Sequence, residues 1–194
     1  MSEEIIDRIL KINTSGRKDS HADTQHHPYE ATPYEVLDRL IESGYLDDVD
    51  SLIDYGCGKG RAALYISYKT GIKTTGIEYD TELYSDAEEN RRTSGIDNAS
   101  FVCENAENYE ISGADAFYFF NPFSSKILSS VLNRIEVSYY DDPRGMYLFF
   151  YYPDDDYLSL LMTHPLLMSS DEIDCRDLFE KSDPRERILV FEIY

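Results

Sequence analysis

The chain has 194 residues, with 38 acidic against 18 basic side chains and a formal charge of −20. That length suits a single domain with a core of its own. So negative a surface disfavours an extended nucleic-acid partner, because phosphates are held through Lys and Arg and repulsion acts before contact. No apolar run approaches the length of a membrane span, and the N-terminus has no basic-then-apolar leader pattern. Cys57, Cys103 and Cys175 are scattered, which predicts neither a disulfide framework nor a metal knuckle and fits a reducing cytoplasm.

Residues 1–26 read as a helix and a connector, and residues 27–194 as the domain proper. Met1–Leu10 carries Ile5, Ile6, Ile9 and Leu10 on one face, a docking helix rather than a membrane anchor. Asn13–Gln25 is polar and reads as a mobile connector. His21, His26 and His27 lie close together, but no further ligand cluster joins them, so the expectation is a polar loop and no metal. Thr32-Pro33-Tyr34-Glu35 has the form of a capping box, with Thr32 as N-cap and Pro33 in the first helical position. Val36, Leu37, Leu40 and Ile41 then form a buried stripe, and Gly44 stops the helix.

Ser51-Leu-Ile-Asp54-Tyr-Gly56-Cys57-Gly58-Lys-Gly60-Arg61 predicts a strand, a tight turn and a helix start. Glycine at every second position lets the backbone turn sharply and lets a ligand lie against main-chain N–H groups. Asp54 puts a negative charge at the strand tip, where an ammonium group is welcome and a pyrophosphate is not. A second strand from Ile72 ends in Glu78, about twenty residues on, as a mononucleotide-binding βαβ unit requires. A carboxylate there can accept two ribose hydroxyls, and Tyr79 can pack on a base. Asp80 caps a helix over Thr81–Arg92.

A third strand, Ala99–Cys103, leads into Glu104-Asn105-Ala106. The fourth, Ala114–Phe120, is apolar almost throughout, as in a parallel strand covered on both faces, and runs into Asn121-Pro122-Phe123. A helix over Ser124–Ser138 and a fifth strand over Gly145–Tyr152 follow. Asp154, Asp155 and Asp156 suit the first turn of a short helix. Arg187–Ile193 is a strand whose partner is expected around Cys175–Glu180, with a turn at Ser182-Asp-Pro-Arg.

The D-x-G-x-G-x-G spacing of Asp54, Gly56, Gly58 and Gly60 resembles motif I of the class I S-adenosylmethionine (SAM) dependent methyltransferases. A dinucleotide fold of the G-x-G-x-x-G type would need glycine where Arg61 stands. The resemblance implies an α/β fold: a Rossmann-like, doubly wound, mostly parallel seven-stranded sheet with an antiparallel C-terminal strand. It implies SAM as cofactor, with Asp54 toward the methionine amine, Gly56, Cys57, Gly58 and Gly60 behind the methionine and ribose, and Glu78 on the ribose. Tyr79 and Asn105-Ala106 fall to the adenine, the Asn105 amide both donating and accepting.

Asn121-Pro122-Phe123 resembles the Asn-Pro-Pro-Tyr or Asn-Pro-Pro-Phe motif of amino-group methyltransferases, one proline short. That motif implies that the Asn121 side-chain oxygen and the Pro122 carbonyl hold the target nitrogen while Phe123 lines the acceptor pocket. The stretch His27-Pro-Tyr29-Glu30-Ala31-Thr32 is similar to the Tyr-x-Glu-Thr loop of the non-SET histone-lysine methyltransferases. It implies a cofactor loop in which Tyr29, Glu30 and, if not a cap, Thr32 approach the methionine end, without implying a histone substrate. The expected function is N-methylation of an amino group on a protein or small molecule. An RNA methyltransferase of the same fold, a SAM-binding module without chemistry and a nucleotide-dependent oxidoreductase are the alternatives. Oligomeric state is not legible.

Overall fold

The structure is a computed structural model that describes residues 2–16, 27–181 and 183–194. Seven strands form one sheet: β1 (Ser51–Tyr55), β2 (Lys73–Glu78), β3 (Ala99–Cys103), β4 (Ala116–Phe119), β5 (Met146–Tyr151), β6 (Met168–Asp174) and β7 (Arg187–Ile193). Their spatial order is β3-β2-β1-β4-β5-β7-β6. β1 to β5 pair in parallel, and β7 runs antiparallel to both β5 and β6. The chain therefore steps outward from β1 to β3 and returns to the other side of β1 as β4. That reversal opens a crevice at the carboxyl ends of β1 and β4.

The helices α1 (Glu3–Leu10), α2 (Tyr34–Glu42), α3 (Arg61–Thr70), α4 (Thr81–Ser94), α5 (Ser125–Asp141) and α6 (Asp155–Thr163) cover the sheet. Strand periodicity divides the core into two layers. Leu52, Tyr118, Phe149 and Val190 pack on one face, while Ile53, Phe117, Phe119, Phe150 and Phe191 pack on the other. On the second face Phe119 stacks between Tyr55 and Phe150, with ring centroids 5.1 and 4.6 Å away. Asp80 caps α4 through its side chain, as its sequence position predicts, while Asp154, expected within the first turn of α6, stands one residue earlier as its N-cap.

Three expectations are corrected. The partner of β7 is β6, Met168–Asp174, and not Cys175–Glu180, where a 3₁₀ turn over Arg176–Leu178 stands instead. β6 is almost wholly exposed and polar, so it shows no apolar alternation to announce it. Thr32 is not the N-cap of α2: Pro33 holds that position, and the buried Thr32 hydroxyl lies 3.1 Å from the Tyr118 hydroxyl. The proline moves the helix start one residue on, and Thr32 gains a buried partner that the capping pattern cannot show.

The third correction concerns α1. Ile5 and Ile9 are exposed, and the helix docks instead through Ile6, Asp7 and Leu10. Asp7 accepts the Thr14 hydroxyl at 2.8 Å and the Tyr34 hydroxyl at 2.5 Å. Arg61 completes the cluster by donating to Thr14 Oγ1 at 2.7 Å, to Glu3 and to the Thr32 carbonyl. Polar docking of this kind leaves isoleucines free on the outer face. His21, His26 and most of the Asn13–Gln25 stretch lie outside the described residues.

Candidate active site

The crevice at the tips of β1, β2 and β4 is a cleft walled by the Tyr29 loop, the glycine turn and the strand tips. Of the residues singled out in the sequence, Tyr29, Glu30, Thr32, Asp54, Gly56, Cys57, Gly58, Glu78, Tyr79, Asn105, Ala106, Asn121, Pro122 and Phe123 all line it. Gly60 does not. A Cβ at Gly60 would lie 2.4 Å from the Phe101 ring, so this glycine seats α3 against β3.

The glycine turn works differently from the expectation that its amides face a ligand. Gly56 and Cys57 both donate to the Ile77 carbonyl, at 2.8 and 3.1 Å, and Gly60 donates to Cys57. The Gly58 N–H donates to Glu78 Oε2 at 2.9 Å. The amides are spent on fixing the turn to β2. What the missing side chains provide is close approach: a Cβ at Gly58 would lie 2.2 Å from the Tyr29 ring, and one at Gly56 2.2 Å from Pro122. Both have positive φ, at 54° and 69°, which glycine alone adopts without strain. The Tyr29 loop and the tip of β4 thus close on the turn from two sides.

Asp54 is buried at the cleft wall. It accepts the Ala63 N–H, while its Oδ2 has no partner among the described residues. Burial, offset in part by that hydrogen bond and increased by Glu78, pushes its pKa up to about 7. A buried, unpaired carboxylate oxygen is costly unless a donor meets it, and a cationic amine is the donor that would also restore the charge. Glu78 accepts from Gly58 through Oε2 and from Asp80 through Oε1, each at 2.9 Å. Burial raises its pKa, and the backbone bonds from Asp80, Gly58 and Tyr79 oppose that. A carboxylate has about four acceptor positions, so hydroxyl partners can still be added.

Asn105 departs from expectation. Its Oδ1 closes an Asx turn on the Glu107 N–H at 2.9 Å, so the side chain is left with its Nδ2 donors. Ala106 beside it is buried, and Tyr79 is half-exposed at the rim.

At the tip of β4 the Asn121 backbone has φ 39°, and Tyr152 at the tip of β5 has φ 53°. The Asn121 Nδ2 donates to the Tyr152 carbonyl at 2.5 Å, which orients the amide, and its buried Oδ1 has no partner among the described residues. The Pro122 carbonyl, expected as a second acceptor for a target nitrogen, already takes the His27 N–H at 3.2 Å. His27 Nδ1 in turn lies 2.7 Å from the Asn121 carbonyl. Phe123 is buried, packs against Phe119 and gives its carbonyl to the Tyr157 hydroxyl at 2.6 Å.

Sequence reasoning missed Phe120, which lines the cleft and packs on Tyr151 with centroids 4.7 Å apart. It also missed the cleft-lining Tyr118, and it passed over Arg61 except as a residue that is not glycine. Buried Arg61 lies over the Tyr34 ring at 4.5 Å and ties α1 to the turn. Arg91 and Arg92, adjacent basic residues on α4, each pair with a glutamate three residues back.

A model of the methyltransferase domain family matches residues 46–139, which span β1 through α5. This part of the chain matches a methyltransferase domain, and the fold around it is that of SAM-dependent methyltransferases. Solved structures share the fold at low identity. A SAM-dependent methyltransferase from Clostridium acetobutylicum is 16% identical over 98% of this chain and 96% of its own, with a TM-score of 0.60. An RNA methyltransferase from Salinibacter ruber, in complex with S-adenosylhomocysteine, is 21% identical over 84% and 94%, also at 0.60. The mitomycin 7-O-methyltransferase MmcR is 13% identical over 82% and 53%, at 0.61. No curated protein matches the sequence. The methyltransferase match sets aside the oxidoreductase alternative. Among the described residues no helix is long and apolar enough to cross a membrane, and no group of three metal-ligating side chains occurs.

Proposed function

We propose that this methyltransferase transfers the methyl group of SAM to an amino nitrogen of a protein segment or a small amine, in a reducing cytoplasm. The observation that carries the reading is Asn121: its side-chain N–H is tied to the Tyr152 carbonyl, and its oxygen remains a buried acceptor at the cleft. An acceptor oriented in this way suits a nitrogen held by its hydrogens with its lone pair aimed along the cleft. An electron-rich aromatic wall of Phe120 and Phe123 suits a cationic or planar amine.

The residues present fit the cofactor. The unpaired Asp54 Oδ2 would take the methionine ammonium, Glu78 the ribose hydroxyls, and Tyr79 with Asn105 and Ala106 the adenine. Tyr29 and Glu30 would cover the methionine end. Bound SAM supplies an electrophilic methyl group. The protein's part is alignment and exclusion of water, which together are worth orders of magnitude in rate. The net charge of −20, with Arg91 and Arg92 already paired, supports cationic over polyanionic acceptors.

The test is methyl transfer from labelled SAM into a cell extract fractionated into protein, RNA and small molecules, repeated with Asn121→Ala. Label in protein or small amines is expected, with turnover by the variant lower by about two orders of magnitude and SAM affinity within a few-fold. Label confined to RNA, or a folded variant that works at the wild-type rate, would overturn the amine reading. Binding without any transfer would leave a SAM-binding module.

A further inference from the structure

His27 is the residue that the cleft uses and the methyl-transfer geometry leaves unassigned. It forms part of the cleft wall beside Asn121 and Pro122. Two bonds anchor it there. Its main-chain N–H donates to the Pro122 carbonyl at 3.2 Å, and its ring Nδ1 lies 2.7 Å from the Asn121 carbonyl. A carbonyl oxygen can only accept, so Nδ1 carries the hydrogen. In the neutral ring this fixes the tautomer and leaves the lone pair on Nε2.

We infer that His27 is the general base that strips the proton from the incoming ammonium group. The inference rests on the amine reading above. An amine carries a proton at neutral pH and has no lone pair until that proton leaves. In this step the Nε2 lone pair takes one proton from R–NH3⁺, giving R–NH2 and an imidazolium. The freed nitrogen pair is then the one that forms the new N–C bond. His27 is exposed, so the imidazolium can return its proton to solvent.

The location agrees with the task. The strand-tip carbonyl that binds Nδ1 belongs to Asn121, whose side-chain oxygen is the acceptor proposed for the same nitrogen. Base and acceptor therefore meet at one strand tip, to which two hydrogen bonds hold His27. The other charged groups of the cleft are Glu30, Asp54, Glu78, Asp80 and Glu104, with Arg61 opposite in sign. Their balance is negative, which draws an ammonium group in. The acids nearest the glycine turn are committed elsewhere: Glu78 to Gly58 and Asp80, and Asp80 to the cap of α4. Asp54 is the one assigned to the cofactor.

The first measurement needs no acceptor. Nitrogen-15 NMR of the histidine rings in the wild-type protein is expected to show His27 as the Nδ1–H tautomer; the Nε2–H tautomer would overturn the proposal. The second uses tritiated-methyl SAM with poly-L-lysine and spermidine as acceptors. His27→Asn keeps an N–H donor for the Asn121 carbonyl and removes Nε2. Its kcat near neutral pH is expected to fall about a hundredfold or more, with SAM affinity by calorimetry within a few-fold. The wild-type rate should level off above the imidazole range, while the variant should keep rising about tenfold per pH unit toward the amine range. Added imidazole should restore rate to His27→Ala. A folded His27→Asn that labels at the wild-type rate with the wild-type pH profile overturns the role of His27 alone. Absence of label from the wild-type protein on either amine overturns the amine reading, and this inference with it.

Discussion

The Gly58 amide and the Glu78 carboxylate are joined by a 2.9 Å hydrogen bond that ties the turn after β1 to the tip of β2. One side chain therefore both fixes the shape of the glycine turn and forms the wall assigned to the ribose. Glu78→Ala is expected to weaken SAM binding by about 1–3 kcal/mol through lost charged hydrogen bonds. It should also lower the unfolding midpoint, because Gly58 and Asp80 lose an acceptor. Calorimetry and denaturant unfolding on the same variant check both, and unchanged affinity would count against the ribose assignment.

Tyr29 packs where a Gly58 side chain would go, at 2.2 Å from the ideal Cβ position. Gly58→Ala should displace the ring and strain a backbone at φ 54°, costing about 1–3 kcal/mol of stability and more than tenfold in SAM affinity. Adding Tyr29→Ala should recover the part due to the clash and leave the backbone part. A double variant no better than Gly58→Ala would show that strain alone is responsible.

Asp54 titrates at about 7 in the folded protein against 3.8 for an ordinary aspartate. The folded state therefore holds an extra proton between those values, and stability from this group falls as pH rises through that window and is flat above it. Asp54→Asn should flatten the slope of unfolding free energy against pH and stabilise the protein near pH 8, by up to a few kcal/mol at about 1.4 kcal/mol per pK unit. The same substitution should cost SAM at least about tenfold in affinity by removing a charge-assisted bond. In the wild type, SAM affinity should weaken as pH drops below about 7. Denaturant titrations and calorimetry across that range check the pair of opposite signs.

Arg61 and Asp7 are both buried, with Thr14 and Tyr34 between them. Arg61→Met should destabilise by about 3 kcal/mol or more, since it strands a buried carboxylate. Asp7→Asn in the same molecule should recover part of that loss. Thermal unfolding of the two single variants and the double variant gives the coupling directly.

Where the side chain is local to its task, the fold could be read from the sequence. Asp80 caps a helix that begins beside it, and the apolar runs at Phe117 and Leu148 mark strands covered on both faces. β6 was hidden because a polar strand exposed along nearly its whole length has no alternation to detect. The cleft residues were legible as types but less so in their bonding. Asn105 spends its oxygen on Glu107, and Pro122 spends its carbonyl on His27; the second bond joins residues 95 positions apart, and no local pattern encodes it. Arg61 reaches Glu3 on α1 across 58 positions. His27 read as one of three loop histidines until its two bonds to the tip of β4 set it apart.

β6 closes the sheet on one side, and its outer ladder of N–H and C=O groups faces no further strand among the described residues. Such a ladder is a template for another chain's strand. Here Asp171, Glu172 and Asp174 stand along it, and a register shift between Ser169 and Asp171 interrupts its regularity. A second molecule carrying the same −20 charge would meet carboxylates and a broken pitch along this edge. The polarity that hides this strand from sequence inspection is also what makes it a poor template for another chain's strand.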